Sequence, residues 1–488
     1  MDILKTPLFR RAAWPGIAVA AAGGLLVGCQ SYERAPLDLT SHRDTLESRL
    51  DAGEPINSFL SRLNESGGDT PDCFDPTDGL SVAEGEVLAL FYNADLRLAR
   101  LSAGVALANY ETAGLWEDPQ FGFDGAEILS PSGPFEYGLS LNLTIPVSGR
   151  LGVAKDRAEA AYETELRRIV DAEWSIRARV RSAWAAWTVA DARVRLLYEV
   201  IGQVERIGSI TDRLEAAGEL TRIEARLLRS ELLQTRGRLA QAEFAATQAR
   251  LNLLGLLGLP PSVDIELVPS LAARERESFP DELQRLIEAN TALAVRRAEC
   301  HTAEETLRLE IRKQYPDIAI GGGYGSEDSD DRLLLGLSIP IPILNANRAG
   351  IAEARAQRDI ARATAETVFE QLTRQLATTN AAIVSARTQL EAFETQLVPM
   401  LEEQSREVEQ LIDLGEVDTL ILLETVSRRF EAKNQLLDLR LAVLHAQVER
   451  ARLLGPNQHK SPAPVEHTSD NTSLTTGASL SPAEEDSK

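Results

Sequence analysis

The chain repeats itself at a spacing of 197 residues, and each copy spells a helix, two short strands and a very long helix. Asn93 and Leu96 recur as Asn290 and Leu293, Pro119 as Pro316, Gly218-Glu219 as Gly415-Glu416, and Leu257-Gly258 as Leu454-Gly455. One register relates them all, since 290−93, 316−119, 415−218 and 455−258 each equal 197. Two strands per copy cannot form a stable sheet alone, so the pattern predicts a pseudo-symmetric assembly whose strands are completed by other copies.

The strands are predicted at about 119–126 and 135–146, and again at about 317–325 and 332–340. Phe135, Tyr137, Leu139, Leu141, Leu143 and Ile145 point one way, while Glu136, Gly138, Ser140, Asn142 and Thr144 point the other. Such alternation over this length is that of a tilted membrane strand with lipid on one side and water on the other. In the second copy an acidic loop, Ser326 to Asp331, leads into Leu333, Leu335, Leu337 and Ile339, which alternate up to Pro340. The other reading is a pair of surface hairpins in a soluble protein, which would leave an apolar stripe in water. Gly321 to Gly325 follows a strand but leads into Ser326-Glu327-Asp328 and no helix, so it reads as a thin strand facing a lumen and not as a nucleotide loop.

The helices supply an independent constraint. Arg150 to Ala217 and Asn347 to Leu414 each span 68 residues, roughly 100 Å of helix apiece. The shorter helices, the first from about Ser81 to Leu115 and stopped by Pro119, add up to a matching length when stacked end to end. Gly218 and Gly415 are placed where the chain must reverse, a position that favours positive φ. Only 5% of residues are aromatic, so these helices must be stabilised by packing side by side. Trp174, Trp184 and Trp187 read as part of that packing. The formal charge of −23 argues against a nucleic-acid partner. No P-loop, HExxH, CxxC pair or Gly-x-Ser-x-Gly is present, so neither an enzyme nor a cofactor is called for. His301 and Glu305, four apart, could clip a metal only with further ligands and read better as solvated polar residues.

The amino end has a basic flank (Lys5, Arg10, Arg11) and an apolar run from Ile17 to Val27 that ends in Leu26-Val27-Gly28-Cys29. The run is too short to span a bilayer and reads as a secretory signal over residues 1–28. Its end resembles the bacterial lipobox, which implies lipidation of Cys29 with diacylglycerol and a fatty acid such as palmitate. Gln30 resembles the class sorted to the outer membrane. Ordinary signal cleavage beside an incidental Cys is the alternative. Residues 29–80 read as an extended lead-in, 81–258 and 281–455 as the two repeats, and 456–488 as a disordered tail. Cys73 and Cys300 are permitted, but not required, to pair.

Lipobox, duplication, hairpins and long helices together make the chain similar to the TolC family of outer-membrane efflux channels, over about residues 80–455. Asn93-Ala94-Asp95-Leu96 stands where members carry Asn-Pro-Glu-Leu, and Ile145-Pro146 and Ile341-Pro342, with Pro340, stand where strands pass into helices. The resemblance implies a mainly α fold with a small membrane β part. Its homotrimer would form a twelve-stranded β-barrel and a periplasmic α-helical barrel. It implies a passive exit duct for small molecules or metal ions, anchored in outer-membrane lipid. Its partners would be a periplasmic adaptor (membrane fusion) protein and a proton-driven inner-membrane pump. Gly218, Glu219, Gly415 and Glu416 would form the tip turns that dock the adaptor, although turn chemistry alone also explains the glycines. Glu424, nine residues past the second tip glycine, and Asp418, nearer the turn, are the gate candidates. Ile421 stands where a second acid sits in relatives, and both acids also read as solvated helix-surface groups. The rival class is a structural periplasmic coiled-coil lipoprotein with no conducting pore.

Overall fold

A computed structural model describes residues 32–51, 53–65, 71, 73–127, 129, 135–218, 221–271, 280–327, 330–413 and 419–456. The signal, Cys29, Glu219, Gly415, Glu416, Asp418 and the tail beyond 456 lie outside the described residues. The chain divides into two units, residues 1–48 and 49–488. The first contains helix α1 (Leu39–Glu47), started by Asp38, whose carboxylate accepts from the Thr40 and Ser41 amides.

The second unit holds the duplication. α2 (Gly53–Glu65) precedes its first copy, which runs α3 (Val82–Tyr92), α4 (Ala94–Thr112), β1 (Gln120–Ala126), β2 (Glu136–Ile145), α5 (Arg150–Ala217) and α6 (Arg222–Leu257). Its second runs α7 (Glu282–Ala289), α8 (Thr291–Arg312), β3 (Ile318–Glu327), β4 (Asp330–Ser338), α9 (Arg348–Ala392), a π turn (Phe393–Leu397), α10 (Val398–Asp413) and α11 (Thr419–Leu454). The 68-residue α5 is the spine, along which α4, α6, α8 and α11 pack. The fold is mainly α with one small sheet, as read from the sequence.

Four differences from the sequence reading have local physical causes. The helix expected from 81 to 115 is two helices that meet at Asn93, and it ends at Thr112, because Gly114 turns at φ 77 well before Pro119. The lead-in is not extended throughout: α2 buries Ile56, Phe59 and Leu60 in the main core, and Phe74 joins them. The second long helix is interrupted by the π turn two residues before Pro399. Part of the loop expected at 326–331 is strand, since Ser326 and Glu327 pair with Asp331 and Asp330.

Asn93 and Asn290 explain why the copies share a register. Asn93 Oδ1 accepts from the Asp95 and Leu96 amides and starts α4, while its Nδ2 donates to the Leu256 carbonyl (2.9 Å). Asn290 Oδ1 accepts from the Leu293 amide (2.8 Å) and its Nδ2 donates to the Leu453 carbonyl (2.9 Å). In each copy one amide side chain therefore begins a helix and satisfies the frayed carbonyl end of another. Gly258 and Gly455, at φ 73 and 70, follow those helix ends. A Cβ at either would collide with the carbonyl of Tyr92 or Ala289, so glycine lets the helix ends approach the joints.

An arginine covers each joint. Arg49 donates to the Gly258 carbonyl and lies over the Tyr92 ring at 4.9 Å. Arg285 donates to the Leu454 (3.2 Å) and Pro456 carbonyls. Around the first joint lies the largest core, centred on the fully buried Trp184, whose indole N–H donates to the Val268 carbonyl (2.9 Å) and whose ring meets Trp187 edge-on at 6.2 Å. Trp174 donates to the Arg452 carbonyl of the other copy (3.1 Å), so all three tryptophans bind helices together.

Removing either asparagine amide orphans a carbonyl and an amide. We expect Asn290→Ala and Asn93→Ala each to destabilise by about 2 kcal/mol, near the cost of unsatisfied buried groups. With no shared partner the effects should add in the double variant, read as the thermal midpoint of the detergent-solubilised protein.

Candidate functional site

The four strands form one antiparallel sheet in the order β1-β2-β3-β4, so the two hairpins pair with each other through β2 and β3. The register sorts the side chains by face. Phe121 lies opposite Leu141, Leu141 opposite Gly322 and Gly322 opposite Leu335; one row along, Phe123, Leu139, Tyr324 and Leu333 align. This apolar face is uncovered, with Phe121 70% and Leu335 85% exposed. On the other face the rows read Gln120, Asn142, Gly321, Gly336 and then Gly122, Ser140, Gly323, Leu334. Glycine stands beside the polar side chains because there is no room for more: a Cβ at Gly321 would strike Asn142 Oδ1, and one at Gly122 would lie 2.5 Å from Ser140 Oγ. The glycine run from 321 to 325 is therefore a strand with a thin polar face.

Both sheet-to-helix passages are built alike. Pro146 and Pro342 each sit at the centre of a three-residue turn, in which Val147 N–H donates to Ile145 O (3.0 Å) and Ile343 N–H to Ile341 O (2.9 Å). Pro340 ends β4 at Ser338, short of the 340 boundary expected, because it has no N–H for the ladder. Next to the first turn, Arg150 clamps the passage, pairing with Asp317 (2.5 Å) and Glu117 (2.7 Å), while the Ser148 amide donates to Asp317 (3.2 Å). Burial pushes the Asp317 carboxyl up, but hydrogen bonds from Arg150 and Ser148 outweigh it and hold the group below its ordinary value. Charge spacing in the sequence did not flag this clamp, since Arg150 and Asp317 lie 167 residues apart.

The far ends of α5 and α6 carry the first tip. Gly218 closes α5 at φ 80, its N–H reaching the Leu214 and Glu215 carbonyls. Thr221 and Glu224 then start α6 reciprocally, the Thr221 hydroxyl donating to Glu224 (2.7 Å) and accepting from its amide (3.3 Å). In the second copy Glu424 lies in the second turn of α11, exposed, with its carboxylate 2.5 Å from Arg428 Nε. An apolar cluster joins the copies near these ends, with Val200, Val204, Ile207 and Leu228 meeting Val408, Leu422 and Val426. Ion pairs also repeat: Glu205–Arg236 (2.7 Å) in the first copy is Glu402–Lys433 (3.1 Å) in the second, each shifted by 197 (402−205, 433−236).

Other candidates resolve into structure. Glu305 is buried, not solvated, and both its oxygens accept from Arg308 (2.7 and 2.8 Å). Cys73 and Cys300 are free thiols. Among the described residues no group of three His, Cys, Asp or Glu side chains is placed to hold a metal ion, and no helix is long and apolar enough to cross a membrane.

Comparison with known proteins agrees with this architecture. The family model described as outer membrane efflux protein matches residues 87–259 and 283–456, one match per copy. The cobalt-zinc-cadmium resistance protein CzcC of Cupriavidus metallidurans is 23% identical over 317 residues, which cover 64% of this chain and 76% of that one. A membrane protein from Pseudomonas aeruginosa shares the fold with a TM-score of 0.67 at 20% identity, covering 80% of this chain and 95% of its own. The Campylobacter jejuni CmeC outer membrane channel does so with 0.66 at 14% identity, covering 91% and 97%. The chain belongs to the outer membrane efflux protein family. Channels, not enzymes, make up that family.

The Asp317 clamp makes a pH prediction. A depressed folded value means that Asp317 adds stability above its ordinary titration near pH 4 and loses it as pH falls through the folded value. Asp317→Asn should therefore cost about 1 kcal/mol at neutral pH and flatten the fall in thermal midpoint as pH drops below about 4. An unchanged slope would show that the clamp carries no linkage.

Proposed function

We propose that three copies of this chain close a twelve-stranded barrel in the outer membrane and form the exit duct of a tripartite efflux system. The carrying observation is the sheet: its apolar face lies open, and among the described residues the outer edges of β1 and β4 have no strand partner. In hydrocarbon such edges must be paired, and pairing β4 of one copy with β1 of the next does this without any new element. The polar, glycine-rich face then lines a wet bore.

The duct is passive. Its partners in this reading are a periplasmic adaptor docking at the tip turns around Gly218, Glu219, Gly415 and Glu416, and a proton-driven inner-membrane pump. Lipid on Cys29 anchors the amino end, several acyl chains being needed for stable attachment. The likeness to a cobalt-zinc-cadmium resistance protein favours divalent metal cations as cargo. Glu424 from three copies, with Asp418 nearer the turn, rings an iris-like gate, and Arg428 tempers the charge of each Glu424.

Purified protein should run as a heat-modifiable trimer and conduct in planar bilayers. Glu424→Gln should weaken block by millimolar divalent cations at least about threefold if the ring faces the pore. Absence of any conductance would overturn the duct, and unchanged block would remove Glu424 from the gate. Cys29→Ser should release the amino end from lipid, read as loss of fatty-acid labelling.

A further inference from the structure

Within one chain α5 meets the second copy along a charged seam. Arg150 pairs with Asp317 (2.5 Å), Arg168 with Glu299 (2.7 Å) and Arg193 with Asp438 (2.6 Å). Each time the cation belongs to the first copy and the anion to the second. Between the first two pairs along α5, the Thr164 and Thr302 hydroxyls share a hydrogen bond (3.0 Å).

The duplication places a counterpart of each of these residues on a face that this seam leaves free. For Asp317, Glu299 and Asp438 the counterparts 197 residues earlier are Gln120 on β1, Ser102 on α4 and Gln241 on α6. In α9 the spacing is 196, as the turns at Pro146 and Pro342 and the core residues Ile176 and Leu372 record (342−146, 372−176). The wider π turn absorbs one residue, so that Glu402 again stands 197 beyond Glu205. Arg150, Arg168 and Arg193 therefore answer to Ala346, Thr364 and Gln389. None of these counterparts is charged.

Apolar side chains stand on the free faces instead. Val295 is buried beside α5 and Thr302 is bonded to it, whereas their counterparts on α4, Leu98 and Val105, are 61% and 64% exposed. Thr164 is buried, but its counterpart Ile360 is 65% exposed on α9. At the sheet-to-helix passage Ser148 is buried, and its counterpart Leu344 is 89% exposed. Single exposed apolar residues are ordinary on a surface. A set that repeats the positions of a buried seam marks a second seam whose other half is another copy. Chain order fixes which faces meet: α4 leads into β1 and β4 into α9, so pairing β4 with β1 of a partner subunit brings α9 beside that subunit's α4. Pairing of β2 with β3 brings α5 beside α8 in the same way within the chain.

We propose that neighbouring copies meet through an uncharged seam of α9 against α4, in which Ile360 packs on Val105 of the partner subunit where Thr164 meets Thr302 within the chain. The inference rests on the duct reading above and adds which helix faces meet and what holds them. Charge then tells a chain's own halves from a neighbour's, because an α5 arginine laid against a neighbour's α4 would lose its anion. Burial of apolar surface holds the outer seam, so salt that screens the inner ion pairs leaves it intact.

Full-length protein in mild detergent tests the seam without reference to transport. In a Cys73→Ser, Cys300→Ser background, Val105→Cys with Ile360→Cys should oxidise to a covalently linked trimer on denaturing gels, while Thr164→Cys with Thr302→Cys should oxidise within single chains. Val105 and Ile360 are exposed in the single copy, so substitution there should leave its folding unchanged. Ile360→Glu should lower the trimeric fraction at least about fivefold, since it buries a charge without a partner. Adding Val105→Arg should restore the trimer in dilute salt, and molar salt should dissociate this variant but not the wild type. Absence of linkage between subunits while the threonine-site pair oxidises, or a trimer indifferent to Ile360→Glu, would overturn the proposal. Should the cysteine pair fail to assemble, the charge variants decide. A monomeric wild type would sink the duct reading, whereas a conducting wild-type trimer that fails these tests sinks only the seam.

Discussion

Hydrocarbon offers no hydrogen bonds to a backbone, and that constraint organises everything else in this molecule. β2 and β3 satisfy each other within the chain, which is why the hairpins of the two copies join in one sheet. Among the described residues β1 and β4 each have a neighbour on one side only. The apolar face and the open edges occur together, as expected of one third of the wall in the proposed three-copy barrel. Proline at both exits and the Arg150–Asp317 clamp fix where the sheet gives way to helix.

Duplication has solved the helical half economically in sequence terms. One asparagine per copy begins one helix and satisfies another, and one glycine per copy lets the two approach. The surroundings of these joints are not duplicated. The first is wrapped by α2 and by the segment after α6, with Trp184 at its centre; the second has a smaller cluster around Leu286, Leu293 and Leu453. Even the arginines that cover the two helix ends, Arg49 and Arg285, are unrelated by the repeat. Equivalent backbones met different needs, and the polar atoms at each helix end were satisfied by whichever side chain could reach them.

Asymmetry is most pronounced in the long helices. α5 is unbroken, whereas its counterpart in the second copy is interrupted by the π turn.

Within the two repeats the sequence alone determined the order of helices and strands, because period-two and helical patterns and the 197-residue register are local or strictly repeated signals, whereas α2 in the lead-in and the π turn at Phe393–Leu397 carry no such signal. The 68-residue length of α5, the polarity of the two sheet faces and the turn at Gly218 were legible for the same reason. Only the tertiary structure decided that β2 pairs with β3, that Asp317 meets Arg150 and that Glu305 is buried against Arg308, since those outcomes depend on partners far away or on what packs above a helix face. Asn93 and Asn290 were visible as repeated letters, but their role as joints required the carbonyls of Leu256 and Leu453, each 163 residues distant. Pro399 was legible as a residue. That its strain is absorbed by a π turn, and not by a chain break, follows from α11 running alongside and holding both segments in line.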